Sequence, residues 1–599
     1  MESFESDIPG KLFDRTLMRR MLHYVRPYAG WMALGMVVVL PLAGLTNLLP
    51  LLVRDATDKF LVPGTLDLAG RWGGLLRIAT LYLGIGFAAF LLRFGQAYLL
   101  SWLGQRILFD LRADIYAKIL RLPLGWFDRN PVGRLMTRVG SDVDAMQRLL
   151  TDGLVGLTTD LIMLVGVLGF MFVCSPPLAL IMLALMPPLL LILLFLNRRV
   201  RGAHRAVRQR QSQLNSYLQE MLTGMTTVQL FNRERAAVTR FDGQNGPLRD
   251  AFLRSVKWFS LAFPATEIMN VLAVVLVLGY GGWRILAGDP DIKLGTLLAF
   301  LIYIRDFFRP LDDLSEKSNV LQAAMASSER VFGLMDTPET IADPPQPRPL
   351  TSFRGEVEFD HVWFAYREEN WVLRDLHLHI PAGRSVALVG ATGAGKSSVT
   401  SLIARFYDVQ RGTVRVDGVD VRDYAQAELR RRIGVVLQDP FIFPGSLADN
   451  ISLLNPAVTR DRVIESARYV NAHTWIEARP GGYDAVVQER GAGLSTGQKQ
   501  LLALARAVAQ DPDILLILDE ATANVDTETE RLIQDALARL MKGRTTILIA
   551  HRLSTIRHVD QILVLREGQV IERGRHEELI AQDGYYRRLF ELLAHAPPA

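Results

Sequence analysis

The run Gly390-Ala391-Thr392-Gly393-Ala394-Gly395-Lys396-Ser397 has the residue types and spacing to hold a chain of phosphates. It fits the phosphate-binding loop pattern, in which glycines let backbone N–H groups curl around the anion. Lys396 adds a point charge for the β and γ phosphates, and the Ser397 hydroxyl is a ligand for Mg²⁺. The helix expected from Ser398 onward offers its N-terminus to the same negative charge. Ser385-Val386-Ala387-Leu388-Val389 precedes the loop as a short buried strand, which is the context the pattern requires. A second element completes the chemistry. Ile514-Leu515-Leu516-Ile517-Leu518 is a fully apolar strand that ends in Asp519-Glu520. A carboxylate at such a tip holds Mg²⁺, here Asp519, and Glu520 is placed to polarise the attacking water. Together these residues describe hydrolysis of ATP with Mg²⁺.

The rest of the chain must position that chemistry, and it is of a different kind. At 599 residues the polypeptide is too long for one core. Long apolar runs separated by basic stretches fill the first half, and beyond residue 355 the sequence reads as a soluble α/β domain. The net charge of +5 is accounted for by arginines beside membrane helices, so no nucleic acid is expected as a partner. The single cysteine, Cys174, excludes an internal disulfide and a Cys-rich metal site. Residues 1–30 are expected to hold an amphipathic helix along the inner membrane surface, not a signal peptide, with Arg15, Arg19, Arg20 and Arg26 facing phosphates.

A helix needs about 20 apolar residues to cross the hydrocarbon. Trp31 to Val53 is the first span and Ile78 to Leu103 the second. The run between Asp160 and Arg198 makes the third and fourth, broken at Cys174-Ser175-Pro176-Pro177. Leu261 to Trp283 is the fifth. The sixth, Leu294 to near Pro310, is weak because it contains Arg305 and Asp306. Basic residues crowd the segments between spans two and three and between four and five, which puts both chain ends in the cytoplasm and requires an even count. These two segments lack loop composition and read as helical extensions of the spans, turning at Trp126 to Gly133 and at Glu220 to Thr227. The expected organisation is a transmembrane domain over 31–320, a linker over 321–354 that is proline-rich from Asp336 to Ser352, and a nucleotide-binding domain over 355–599.

Between the two ATP elements lies Leu494-Ser495-Thr496-Gly497-Gln498, which resembles the signature motif of the ATP-binding cassette (ABC) family. The resemblance extends over nearly the whole chain. It implies that Ser495, Gly497 and Gln498 serve the ATP bound by a partner subunit. It further implies that Tyr366 stacks on adenine, that Gln438 senses Mg²⁺ and the membrane domain, and that His551 is the switch histidine at the γ-phosphate. Gln488-Glu489-Arg490-Gly491 resembles the exporter-specific stretch before the signature, and Ala523-Asn524-Val525-Asp526 the loop at the dimer interface. Phe127-Asp128 through Gly133, Arg138 and Asp142 is similar to the first intracellular turn of ABC exporters, and Glu220, Gly224 and Val228 to the second. The fold this implies is a six-helix membrane domain with long cytoplasmic extensions, fused to an α/β P-loop domain.

Thr496 stands where the commoner signature has Gly, and a β-branched residue stiffens that turn. With Glu520 and His551 retained, the chain resembles the catalytic half of heterodimeric bacterial multidrug exporters; a homodimer that tolerates Thr is the alternative. Asn47, Asp160, Glu267, Asn270 and Arg305 are polar at membrane depth and should face a cavity or one another. Glu267 and Asn270, one helical turn apart, are the candidate substrate-path residues. The expected function is export of hydrophobic or amphipathic compounds across the cytoplasmic membrane, with lipid flipping or peptide export as alternatives on the same scaffold. Lipids and a second half-transporter are the expected partners.

Overall fold

A backbone that crosses hydrocarbon has no water to bond to, so isolated apolar runs can cross only as helices. The computed structural model describes residues 14–62, 67–350, 353–518, 527–549 and 556–595. The chain divides into two compact units, Met1–Leu120 with Val132–Thr337, and Arg121–Pro131 with Pro338–Ala599.

In the first unit, five helices among the described residues are long and apolar enough to cross a membrane: Arg15–Leu61, Leu68–Arg121, Gly156–Cys174, Pro176–Thr223 and Glu234–Leu286. At 54 residues, Leu68–Arg121 is roughly 80 Å long, far beyond a bilayer core. Ser175, extended at φ −162°, separates the third and fourth spans, and Pro176 starts the next helix where its missing N–H costs nothing. The expected sixth span lies in the helix Leu294–Met335, which carries Arg305, Asp306 and Arg309. Its apolar residues are periodic rather than continuous. Phe300, Tyr303, Ile304, Phe307 and Phe308 are buried, whereas Arg305 and Arg309 are exposed. That spacing is the stripe of a core-facing helix, and it packs among Val167, Met171, Met182, Leu189 and Val277. The same helix continues through Pro310 and the expected 320/321 boundary as far as Met335.

Two polar expectations change. The helix Arg15–Val25 buries Met18, Met21 and Val25 against protein. Arg20 makes a bidentate pair with Asp336 at 2.5 and 2.8 Å and covers the Phe332 ring, so it is committed to protein instead of to lipid phosphate. Asn47 is buried and bonded within the protein: its side-chain amide N–H donates to Ala43 O at 2.8 Å, and its backbone carbonyl accepts from the Tyr303 hydroxyl at 2.7 Å. Asp160 pairs with Lys317.

Among the described residues, the second unit is built on two large sheets, with a short third that pairs Gly445–Ser446 with Val486–Val487. A six-stranded sheet runs in the order Gln569–Gly574, Gln561–Arg566, Ser385–Val389, Thr545–Ile549, Ile514–Leu518, Ile433–Val436. All its pairs are parallel except the first. The central strands Ser385–Val389 and Thr545–Ile549 are buried nearly throughout because both faces are covered, whereas the edge strand Gln569–Gly574 alternates exposed and half-buried residues. Val386 and Leu388 enter one core with Val399 and Leu402, while Ala387 and Val389 enter the other with Leu501 and Leu504. The second sheet is antiparallel, ordered Trp371–Ile380, Val357–Ala365, Arg411–Val416, Val419–Asp420. The proline-rich connector is fixed to this unit: Arg405 donates to Ala342 O at 3.0 Å, and Gln426 donates to the Asp343 carboxylate at 2.9 and 3.1 Å.

Within the first unit, buried Asp142 accepts from Ser327 at 2.9 Å and from Arg330 at 2.5 and 3.0 Å. Replacing Arg330 with Ala removes the guanidinium from a buried carboxylate. The expected cost is about 1–3 kcal/mol, reduced from that of a fully buried pair because Arg330 is half exposed. A lower unfolding temperature in detergent, partly restored by Arg330→Lys, checks this.

Candidate functional site

The strand Ser385–Val389 delivers the chain to Gly390, and the helix Lys396–Ile403 begins six residues later. Between them, Gly393 and Gly395 have φ of +86° and +98°, a region that a Cβ disfavours. Gly395 is the N-cap of the helix and supplies no side-chain acceptor, so the first helical N–H groups have no side-chain cap. The loop therefore presents a positive concavity made of backbone. Thr392 and Ser397 are exposed on it, while Ala394 and Ser398 are buried beneath. Lys396 is 6% exposed, and its ammonium folds back to donate to Gly390 O at 2.7 Å and Ala391 O at 3.0 Å. At the far end of the helix, Arg430 donates to Ala404 O and Arg405 O, which meets the carbonyls a helix C-terminus leaves open.

Tyr366 lies over this helix, its hydroxyl 3.0 Å from the Ser398 hydroxyl, with more than a third of its surface exposed. Tyr407 meets it edge-on with ring centroids 5.0 Å apart. The Tyr407 hydroxyl donates to Asp128, and burial together with that carboxylate pushes its pKa up. Arg129 donates to the carbonyl of Tyr366 at 2.8 Å. The segment Arg121–Pro131 thus belongs to the second compact unit and touches the backbone and ring that flank the loop. Sequence reading singled out Tyr366 and the turn that holds Asp128 and Arg129, but missed Tyr407. The available signal was Phe406-Tyr407, an aromatic pair just past the phosphate-loop helix.

Ser495 is the N-cap of the helix Thr496–Gln510 in a reciprocal capping box: Ser495 Oγ accepts from Gln498 N at 3.2 Å, and Gln498 Oε1 accepts from Ser495 N at 3.1 Å. Thr496 is the first helical residue, exposed, and outside the left-handed region; Gly497 is buried behind it. The expected stiffening of a turn therefore does not apply, because this backbone needs no glycine. What Thr adds is an exposed branched side chain beside the N-cap. From the same helix, Arg506 donates to Phe441 O and Asn450 O, holding the stretch that follows Gln438; burial alone pushes its pKa down. Gln438 is exposed just past the strand Ile433–Val436.

Pairing puts Leu388, Ile549 and Leu518 side by side across three parallel strands. Asp519, Glu520 and His551 follow these strands in sequence but lie outside the described residues, as do Ala523 to Asp526. In the first unit, Glu267 is exposed and Asn270 half buried on the helix Glu234–Leu286.

Comparison with known proteins agrees with this geometry. The family model for the ABC transporter transmembrane region matches residues 32–311, and the model for the ABC transporter matches residues 373–523. A fatty acid ABC transporter ATP-binding/permease protein of Mycobacterium tuberculosis is 41% identical over 86% of this chain and 80% of its own. A putative multidrug export ATP-binding/permease protein of Bacillus subtilis is 34% identical over 96% of this chain and 99% of its own. The solved structure of a bacterial Atm1-family ABC exporter with ATP bound superposes with a TM-score of 0.75 at 27% identity, covering 98% of this chain and 100% of that one.

Proposed function

The chain belongs to the ABC transporter family, and from that premise we propose that it is one half of an exporter of hydrophobic or amphipathic, multidrug-type compounds. It is a multi-pass membrane protein whose ATPase activity is coupled to transport. One observation carries the reading: a single chain joins helices long enough to cross a membrane to a backbone concavity shaped for phosphate. With one ATP domain per chain, it works as a dimer. The arginine-rich extensions support a cytoplasmic-membrane location with both chain ends inside. Export of lipids is the second reading, favoured by the mycobacterial relative named for fatty acids.

The loop fits ATP because its N–H groups are preset by left-handed glycines. Magnesium fits the donors present, since the Ser397 hydroxyl and the Gln438 side-chain carbonyl are hard oxygen ligands, with Asp519 as the third. When bound, Mg²⁺-ATP supplies the phosphoryl group to be transferred. Lys396 exchanges the carbonyls of Gly390 and Ala391 for phosphate oxygens, Tyr366 stacks on adenine, and Glu520 takes the proton of the attacking water. Ser495, Gly497 and Gln498 face the partner's nucleotide, and His551 contacts the γ-phosphate. Asp128 and Arg129 carry the state of the site to the membrane helices.

Thr496 supports pairing with a different chain. Its exposed branched side chain crowds the approach of a partner's γ-phosphate to Ser495, while Glu520 and His551 are retained for this chain's own site. Alone in detergent, the chain is expected to show little ATP turnover. Thr496→Gly should raise it severalfold, and fast turnover by the unaltered chain would contradict the asymmetric reading. Co-expressed with its partner, Glu520→Gln should lower phosphate release by about 10²-fold or more while ATP stays bound; full residual activity would remove Glu520 as the base. Glu267 is read as a contact for cationic amphipaths, so Glu267→Gln should slow efflux of cationic dyes from vesicles. Unchanged efflux with normal ATP turnover would sink that assignment.

A further inference from the structure

The solvent face of the antiparallel sheet carries a side-chain cluster that ATP chemistry does not use. Its origin is a slip in strand register. Phe359 lies opposite Leu378 and Val362 opposite Leu376, so Asp360 and His361 together face the single residue His377. In a regular strand, residues 360 and 361 would point to opposite faces. The bulge re-aims them instead. Phe359 and Val362 are fully buried on either side, while His361 and His377 are exposed and Asp360 is partly so. His361 adopts a left-handed backbone at φ +48°, and Asp375, beside it on the paired strand, does the same at φ +52°.

The result is a set of three ligands. Asp360, His361 and His377 bring one ligand atom each within 4.8 Å of one another. The two imidazole centroids are 5.0 Å apart. That is the spacing expected for two histidines on one tetrahedral ion with metal–nitrogen bonds of about 2.0–2.1 Å. The remaining atoms are arranged to match. Asp375 Oδ1 lies 2.7 Å from His361 Nδ1, which fixes the ring and leaves its Nε2 for a metal. Asp360 gives Oδ2 to Arg415 at 3.3 Å and turns Oδ1 towards His377, 3.8 Å away.

We infer that Asp360, His361 and His377 form a binding site for a divalent transition-metal ion, with zinc as the reference case and Asp375 as the residue that orients His361. Two imidazoles and one carboxylate, with a fourth position open, suit zinc, nickel or copper; magnesium and calcium take oxygen donors. The site is separate from the Mg²⁺ donors of the phosphate loop and stands whether or not the transport reading holds. His379, on the same strand, provides the internal comparison: it is exposed and bonded to Glu356 at 2.6 Å.

The test is calorimetric titration of Zn²⁺ into the purified full-length chain, without nucleotide and with excess Mg²⁺. One saturable zinc per chain is expected. His377→Ala should weaken it by more than tenfold, Asp375→Asn by about tenfold, and His379→Ala should leave it unchanged. Absence of saturable binding overturns the site. Equal losses from His377→Ala and His379→Ala also overturn it, since exposed histidines in general would then be responsible. No effect of Asp375→Asn overturns the orienting role.

Discussion

The register of the parallel sheet is the constraint on which the ATP domain depends. Leu388, Ile549 and Leu518 align across three strands, so these strands end in register at one edge of the sheet. Parallel pairing needs crossover helices on both faces, and the side chains of Ser385–Val389 divide between the two cores that result. A slip of one residue would exchange those faces and bring the phosphate loop off the edge. The loop is packed closely on its surroundings: a Cβ at Gly390 would clash with the Leu565 carbonyl, and one at Gly395 would lie 2.6 Å from a Leu373 methyl. Gly393 and Gly395 set its curvature, and the helix behind it is held by its apolar face and by Arg430 at its end.

The same domain shows how local chemistry is joined to distant sequence. Tyr407 touches Tyr366 with its ring and Asp128 with its hydroxyl, and Arg129 reaches the Tyr366 backbone. Asp128 and Arg129 lie more than two hundred residues from Tyr366 and Tyr407 in the chain. Tyr366 is thus joined to Arg121–Pro131 by direct contacts. The helix behind Ser495 is tied in a comparable way, through Arg506 to the carbonyls beyond Gln438.

Much of this was legible in the sequence, and the reason differs by region. The strands Ser385–Val389 and Ile514–Leu518 were readable because buried parallel strands are continuous apolar runs that end at motif residues. The break at Ser175 was readable because two prolines follow it. Hydropathy undervalued Leu294–Met335 because that helix faces the core on one side only, so its signal is periodic and its average is diluted by Arg305 and Arg309. Arg20 was misread as lipid-facing because its partner, Asp336, is 316 residues away. Thr496 was read as stiffening a turn, but the position is the first turn of an ordinary capped helix.

By itself, the sequence determined the division into a membrane half and an ATP half, and its motifs pointed to the phosphate-loop and signature residues. Those follow from composition and short spacing, which act within a few residues of chain. Tertiary structure alone decided that Arg121–Pro131 joins the ATP domain, that Tyr407 bridges Asp128 to Tyr366, and that a bulge sets Asp360 and His361 against His377. Each depends on strand register or on packing between segments far apart in sequence. No local preference of the chain encodes such contacts, because they exist only once the cores have formed.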